Sequence, residues 1–115
     1  MSMTNNCQMV MLQPQGRLDF DNSKILESQF TRLKLQRNAL WVINLKQVDF
    51  MDSSGLIGLI TGLKAARESG SRLVLCNVPD PIRLILELTQ LDSVFETFES
   101  YDAVLTTANT PALAA

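Results

Sequence analysis

Asp52, Ser53, Ser54 and Gly55 stand together in VDFMDSSGLIGLI, residues 48–60, where an apolar run gives way to polar residues and then to an amphipathic pattern. A carboxylate beside two hydroxyls can assist proton transfer, carry a covalent modification or cap a helix. The rest of the chain separates these uses. There is no histidine, so a serine activated by a histidine general base is excluded, and an Asp52–Ser53 hydrolytic pair is a remote reading. Metal centres lose their usual ligands as well. Cys7 and Cys76 are far apart, and the carboxylates form no acidic loop with calcium spacing. GLIGLITG, residues 55–62, lacks the lysine of a phosphate-binding loop, and its glycines sit inside a helical pattern, where they suit close helix packing. No cofactor or metal is expected.

The flanking elements must position these side chains. CQMVMLQ is a short apolar run closed by Pro14, which has no N–H for a ladder, so it predicts a strand at a sheet edge or terminus. GRLD, residues 16–19, predicts a turn and a second short strand. NSKILESQFTRLKLQ sets Ile25, Leu26, Phe30 and Leu33 at the spacing of one helical face, with Asn22 or Asp21 as the cap. ALWVINL is continuous, β-branched and aromatic, and predicts a central strand covered on both faces, with Trp41 as a core or rim anchor.

After DSSG, the residues Leu56, Leu59, Ile60, Leu63 and Ala66 recur at helical spacing, and Gly70 ends a helix of about four turns. SRLVLCNV reads as a strand and DPIRLILELTQ as a helix with Pro81 in its first turn. SVFETFE reads as a short strand and YDAVLTT as a last helical turn or two. This alternation argues an α/β layer with parallel pairs and an N-terminal strand or hairpin at one edge. No internal repeat is legible.

DSSG thus falls at a strand-to-helix turn. Free N–H groups and the positive end of the helix dipole stabilise an Asp or Ser there as a cap, and spacing alone favours a cap and nothing more. The turn is also expected outside the carboxyl end of a central strand, where open α/β sheets tend to bind ligands.

Composition sets the outer limits. With 115 residues, 46% apolar and 19% charged, the chain is expected to form one soluble globular domain. A net charge of −2 offers no basic field for nucleic acid. The opening MSMTNNCQMVMLQPQ has no basic segment followed by a long apolar one, and no apolar run approaches the roughly 20 residues that span a bilayer. A cytoplasmic location with reduced thiols is expected.

VDFMDSSGLIGLI closely resembles the signature of the STAS domain, in particular that of the bacterial anti-sigma factor antagonists. GRLD at 16–19, the helix after it and SRLVLCNVPDPIRLILELTQLDSVFETFES at 71–100 match in the family's order, so the similarity spans nearly the whole chain. The resemblance implies a single-domain, STAS-like α/β fold over residues 1–107, a mixed β-sheet of four to five strands flanked by about four helices. Residues 108–115, small and aperiodic, are expected to form a flexible tail.

The resemblance also implies partner switching without enzymatic activity. The unphosphorylated antagonist would bind a cognate anti-sigma factor serine kinase and release the sigma factor. Phosphorylation on Ser53 would reverse this, and a PP2C-like serine phosphatase would restore the first state. Asp19, Met51, Asp52, Ser54, Gly55 and Leu56 are the implied partner-binding residues, with a turn or cap role nearly as natural for Asp19 and a core role equally natural for Met51 and Leu56. Nucleic acid and membrane are not implied partners, and there is room for a weak homodimer. The rival expectation is a non-switching STAS module, either a stressosome-type scaffold or an accessory subunit of a lipid or anion transporter. Lys46, Gln47 and Gln90 depart from the family pattern, the last standing where a glycine often ends the third helix.

Overall fold

ALWVINL forms an inner strand of the main sheet, paired on both edges and buried on both faces. In the computed structural model, which describes residues 8–108, it forms β3 (Leu40–Asn44). The other elements are β1 (Met9–Leu12), β2 (Gly16–Leu18), α1 (Phe20–Leu33), β4 (Val48–Met51), α2 (Ser53–Glu68), β5 (Arg72–Cys76), α3 (Asp80–Leu88), β6 (Glu96–Phe98) and α4 (Tyr101–Ala108). A four-stranded sheet runs β1-β3-β5-β6, and β2 pairs with β4 in a separate two-stranded sheet. Every pairing among the described residues is parallel.

The α/β alternation predicted from periodicity therefore stands, and among the described residues β1 lies at one edge of the main sheet. Among the described residues β1 and β2 do not pair with each other as a hairpin. Pro14 interrupts the ladder after β1 and Gly16 turns with φ of 76°, so β2 leaves the main sheet and bonds across to the segment before β4, Gly16 N–H donating to Gln47 O at 2.8 Å. DSSG does not end a central strand of the main sheet; it ends β4, in the small sheet.

Trp41, Val42 and Ile43 are each 0% exposed, and alternation along the strand divides them between two layers. Trp41, Ile43, Leu73 and Leu75 join the larger core with α1, α2 and α3; Val42, Val74 and Cys76 meet Val104 of α4 on the other face. Burial pushes the Cys76 thiol up from its ordinary range, as expected of a packing residue. Trp41 stacks on Phe30 with ring centroids 5.9 Å apart, so it is core and not rim. Cys7 and the predicted tail lie outside the described residues, apart from Ala108 at the end of α4.

The glycines of GLIGLITG bring α1 and α2 together. A Cβ on Gly58 would lie 3.2 Å from Ser23, and one on Gly62 would lie 2.4 Å from the Phe30 ring. These contacts advance in the same direction along both helices, which are therefore parallel neighbours.

Two helices end in the same way. After α2, Ser71 N–H donates to Ala66 O and Gly70 N–H to Arg67 O; after α3, Leu91 N–H donates to Leu86 O and Gln90 N–H to Glu87 O. This double bond pattern needs a left-handed residue between the helix and the exit strand. Gly70 supplies it at φ 71°, but at the second site Gln90 is held at φ 61°. Gln90→Gly is expected to raise stability by about 0.5–1 kcal/mol, because relief of the left-handed strain outweighs the extra freedom of glycine in the unfolded chain. Urea titration of the two proteins checks the sign.

Candidate functional site

Two strand–cap–helix units stand side by side. Leu18 of β2 and Met51 of β4 are partners in register, each is followed by an aspartate, and each aspartate begins a helix. Asp19 caps α1, its Oδ1 accepting from Asn22 N–H at 3.1 Å. Asp52 caps α2, its Oδ1 accepting from Ser54 N–H at 2.9 Å and from Gly55 N–H at 3.1 Å. The backbone of the two caps is nearly the same, with φ/ψ of −109°/−167° at Asp19 and −106°/−170° at Asp52. The α1 cap is thus Asp19 and not the predicted Asp21 or Asn22, which already lie inside the helix. Ile25, predicted on the buried face, is 60% exposed, because at about 100° per residue it lies well off the stripe that Ser23, Leu26, Phe30 and Leu33 share.

Ser53 and Phe20 are therefore equivalent positions, the first helical residues of α2 and α1. Ser53 is exposed, and its hydroxyl makes no hydrogen bond among the described residues. Asp52 N–H donates to Leu18 O at 3.2 Å, so the turn that carries Ser53 is tied to the neighbouring unit. Gly55 is buried beneath it. A Cβ there would fall 2.2 Å from Leu18 O and 2.9 Å from Met51 Cγ, so only glycine lets α2 start this close to β2. The helix N-terminus presents its positive dipole end to whatever Ser53 carries, while one Asp52 carboxylate oxygen holds the Ser54 and Gly55 N–H groups.

The strands show their other face to solvent. Arg17 pairs in register with Phe50, and the pairing skips Asp49, which is the extra residue of a bulge in β4. With Leu18 and Met51 turned into the core, Arg17 and Phe50 point outward, and the Arg17 guanidinium lies 4.4 Å from the centroid of the Phe50 ring. The Lys24 ammonium lies 5.1 Å from the Phe20 ring in the same manner.

Comparison with known proteins agrees with this geometry. The family model described as the STAS domain matches residues 1–104. The chain belongs to the STAS domain family. Among curated relatives of this STAS domain is the anti-sigma F factor antagonist of Paenibacillus polymyxa, 26% identical over 92 residues that make up 79% of each chain. The fold of this chain is similar to that of a putative anti-sigma factor antagonist from Thermotoga maritima, with a TM-score of 0.79 at 22% identity over 87% of this chain and 86% of that one. A sulfate transporter family protein from Wolinella succinogenes is similar to the same degree, with a TM-score of 0.78 at 16% identity over 87% and 84% of the two chains.

The STAS domain distributes its predicted site residues unevenly. Asp52, Ser53 and Ser54 are exposed or half-buried at the start of α2, and Asp19, its side chain 35% exposed, comes to the same end of the molecule. Met51 and Gly55 face the core instead, and Leu56 is half-buried against it. The apolar surface beside Ser53 comes from Phe20, Phe50 and Ile57, which the sequence reading missed. A signal for Phe50 was present, since the residue before a buried strand residue faces the other way. Among the described residues no group of His, Cys, Asp and Glu side chains is placed to hold a metal, and no helix is long and apolar enough to cross a membrane.

Proposed function

We propose that this STAS domain is an anti-sigma factor antagonist that acts by partner switching, with Ser53 as the switch. In the unphosphorylated state it binds a cognate anti-sigma factor serine kinase in the cytoplasm and so releases a sigma factor. Phosphorylation of Ser53 ends that complex, and a PP2C-like phosphatase reverses the modification. The protein is a regulated binding partner and not an enzyme.

The observation that carries this reading is the Ser53 hydroxyl, exposed and unbonded at the first position of a helix whose cap is Asp52. A phosphate there adds about −1.5 to −2 charge, which the helix dipole stabilises, so the fold is expected to survive while the surface changes. A partner packed on that surface must desolvate the phosphate and meets its charge.

Phosphopeptide mapping of the protein from its own cells, in resting and stressed cultures with phosphatases inhibited, tests the proposal. Phosphate is expected on Ser53, with occupancy that differs between the cultures, and Ser54→Ala is expected to accept it still. An unmodified Ser53 in every condition, together with a stable complex with a transporter subunit, would instead identify the non-switching module.

A further inference from the structure

We propose that a cleft at the far end of α2 from Ser53 binds a small amphipathic anion, a carboxylate or phosphate monoester whose charged end pairs with Arg67 and whose apolar body rests on Leu63, Leu73 and Val94. The site is separate from the turn that carries Ser53 and does not depend on the switching proposal.

The cleft has a volume of about 200 Å³ and lies where the last turns of α2, the start of β5 and the segment before β6 meet. Along the axis of α2, Arg67 is about 21 Å from Ser53 at 1.5 Å per residue. Leu63 and Leu73, both buried, and Val94, 43% exposed, give the cleft an apolar lining. Its charged residues are Arg67, Arg72 and Glu96. Arg72 holds both carboxylate oxygens of Glu96, its Nε donating to Oε1 at 2.7 Å and its Nη2 to Oε2. The Ser71 hydroxyl, also on the wall, accepts from Ala39 N–H at 3.0 Å and so serves the chain leading into β3. Arg67 makes no ion pair among the described residues, which leaves one uncompensated positive charge beside an apolar surface.

Folding gathers more cations around it. Arg32, Lys34 and Arg37 lie at or just beyond the end of α1, and Lys64 and Arg67 lie in the last turns of the parallel α2. With Arg72 they make six of the ten Lys and Arg residues of the chain. Among the carboxylates at this end, Glu68 is paired with Lys34 at 2.8 Å and Glu96 with Arg72, while Glu87 and Asp92 line a different cleft with Arg83. A chain of net charge −2 therefore presents a positive field here. The field draws an anion in, and the Arg67 guanidinium can offer it two parallel N–H donors. A cation in the last turn also suits the dipole of α2, but that role needs only a charge, which lysine would supply. The cleft is smaller than the roughly 300–1,000 Å³ of sites for drug-sized ligands, so it fits a metabolite-sized anion.

The test follows backbone-amide chemical shifts of the full chain during titration with hexanoate and with phenyl phosphate. Butyrate, inorganic phosphate and neutral hexanamide serve as comparisons. Hexanoate and phenyl phosphate are expected to saturate with a Kd of about 1 mM or below and to shift the amides of Leu63, Arg67, Leu73 and Val94. Hexanamide, without the charge, is expected to bind about tenfold more weakly or worse. Butyrate, shorter by two methylenes, is expected to lose up to about tenfold. Arg67→Gln is expected to weaken both anions by about tenfold. Arg67→Lys is expected to melt as wild type yet bind about threefold or more weakly, because it keeps the charge and loses the fork. Val94→Asp, with a carboxylate on the rim, is expected to weaken the anions and leave hexanamide unchanged.

Variants that melt as wild type exclude misfolding as the cause. Failure of both anions to saturate below about 10 mM overturns the proposal, and so does Arg67→Gln binding within about twofold of wild type. Inorganic phosphate binding as tightly as phenyl phosphate removes the apolar half of the site. Tight binding of a single-stranded oligonucleotide, lost equally in Arg32→Gln, Arg37→Gln and Arg67→Gln, would show an extended polyanion surface in place of the cleft.

Discussion

Ser53→Asp is expected to weaken the complex with the anti-sigma factor by tenfold or more, whereas Ser53→Ala keeps the complex and loses phosphate uptake altogether. The asymmetry follows from where the side chain sits. A carboxylate at the first position of α2 is favourable to the domain by about 0.3–1 kcal/mol, because it faces the positive end of the helix dipole. The same charge is unfavourable in the complex, where it must be stripped of water against a closed surface. Tenfold requires only about 1.4 kcal/mol, well within the cost of burying an unpaired charge at an interface. Stability and affinity therefore move in opposite directions. Calorimetric titration with paired melting curves reads both, and a Ser53→Asp protein that binds as tightly as wild type would remove Ser53 from the switch.

Gly55 sets the second large effect. Its missing Cβ leaves room for Leu18 O at 2.2 Å and Leu18 Cβ at 2.8 Å from where the new atom would lie. One of these is backbone, so a substitution must push β2 away from α2 instead of rotating a side chain. Gly55→Ala is expected to cost about 1–3 kcal/mol despite the higher helix propensity of alanine, and Gly55→Val to exceed that range. Gly58→Ala, whose new atom would meet Ser23 at 3.2 Å, is expected to cost less than about 1 kcal/mol. Denaturant unfolding of the three variants tests the ranking. Equal losses at Gly55 and Gly58 would show that β2 yields more easily than its hydrogen bonds to the β4 unit imply.

The same contact couples stability to function. Asp52 N–H bonds to Leu18 O, the atom that a Gly55 side chain would displace, so a partly folded Gly55 variant is also expected to misplace Ser53. Loss of affinity in such a variant reports on positioning and not on direct contact with a partner.

Much of this was legible in order along the chain. The β-branched run of β3, the helical spacing of Leu59, Leu63 and Ala66, Gly70 as a stop and Pro81 in the first turn of α3 all appear where periodicity and turn chemistry put them. DSSG was recognised as a helix start, and its glycine and those that follow as packing residues. The failures have different causes. Asp21 and Asn22 are as acceptable as Asp19 by type, and the choice among them depends on where β2 releases the chain, which its pairing with β4 determines. Ile25 is as apolar as Leu26 but lies about 100° from it around the helix, so periodicity alone could have placed it off the buried face.

Local events can be read along the chain: which segments become helix or strand, where each helix can begin and end, and that Asp52 and Ser53 fall at a helix start. These are set by residues within a few positions of one another, through capping, periodicity and backbone preference. Long-range packing is what makes β2 and β4 their own parallel pair, turns Asp19 and Asp52 into matched caps, and leaves Phe20 and Phe50 facing solvent while Met51 does not. Strand register and bulges are fixed by contacts between residues distant in sequence. A single slip in that register exchanges the buried face for the exposed one.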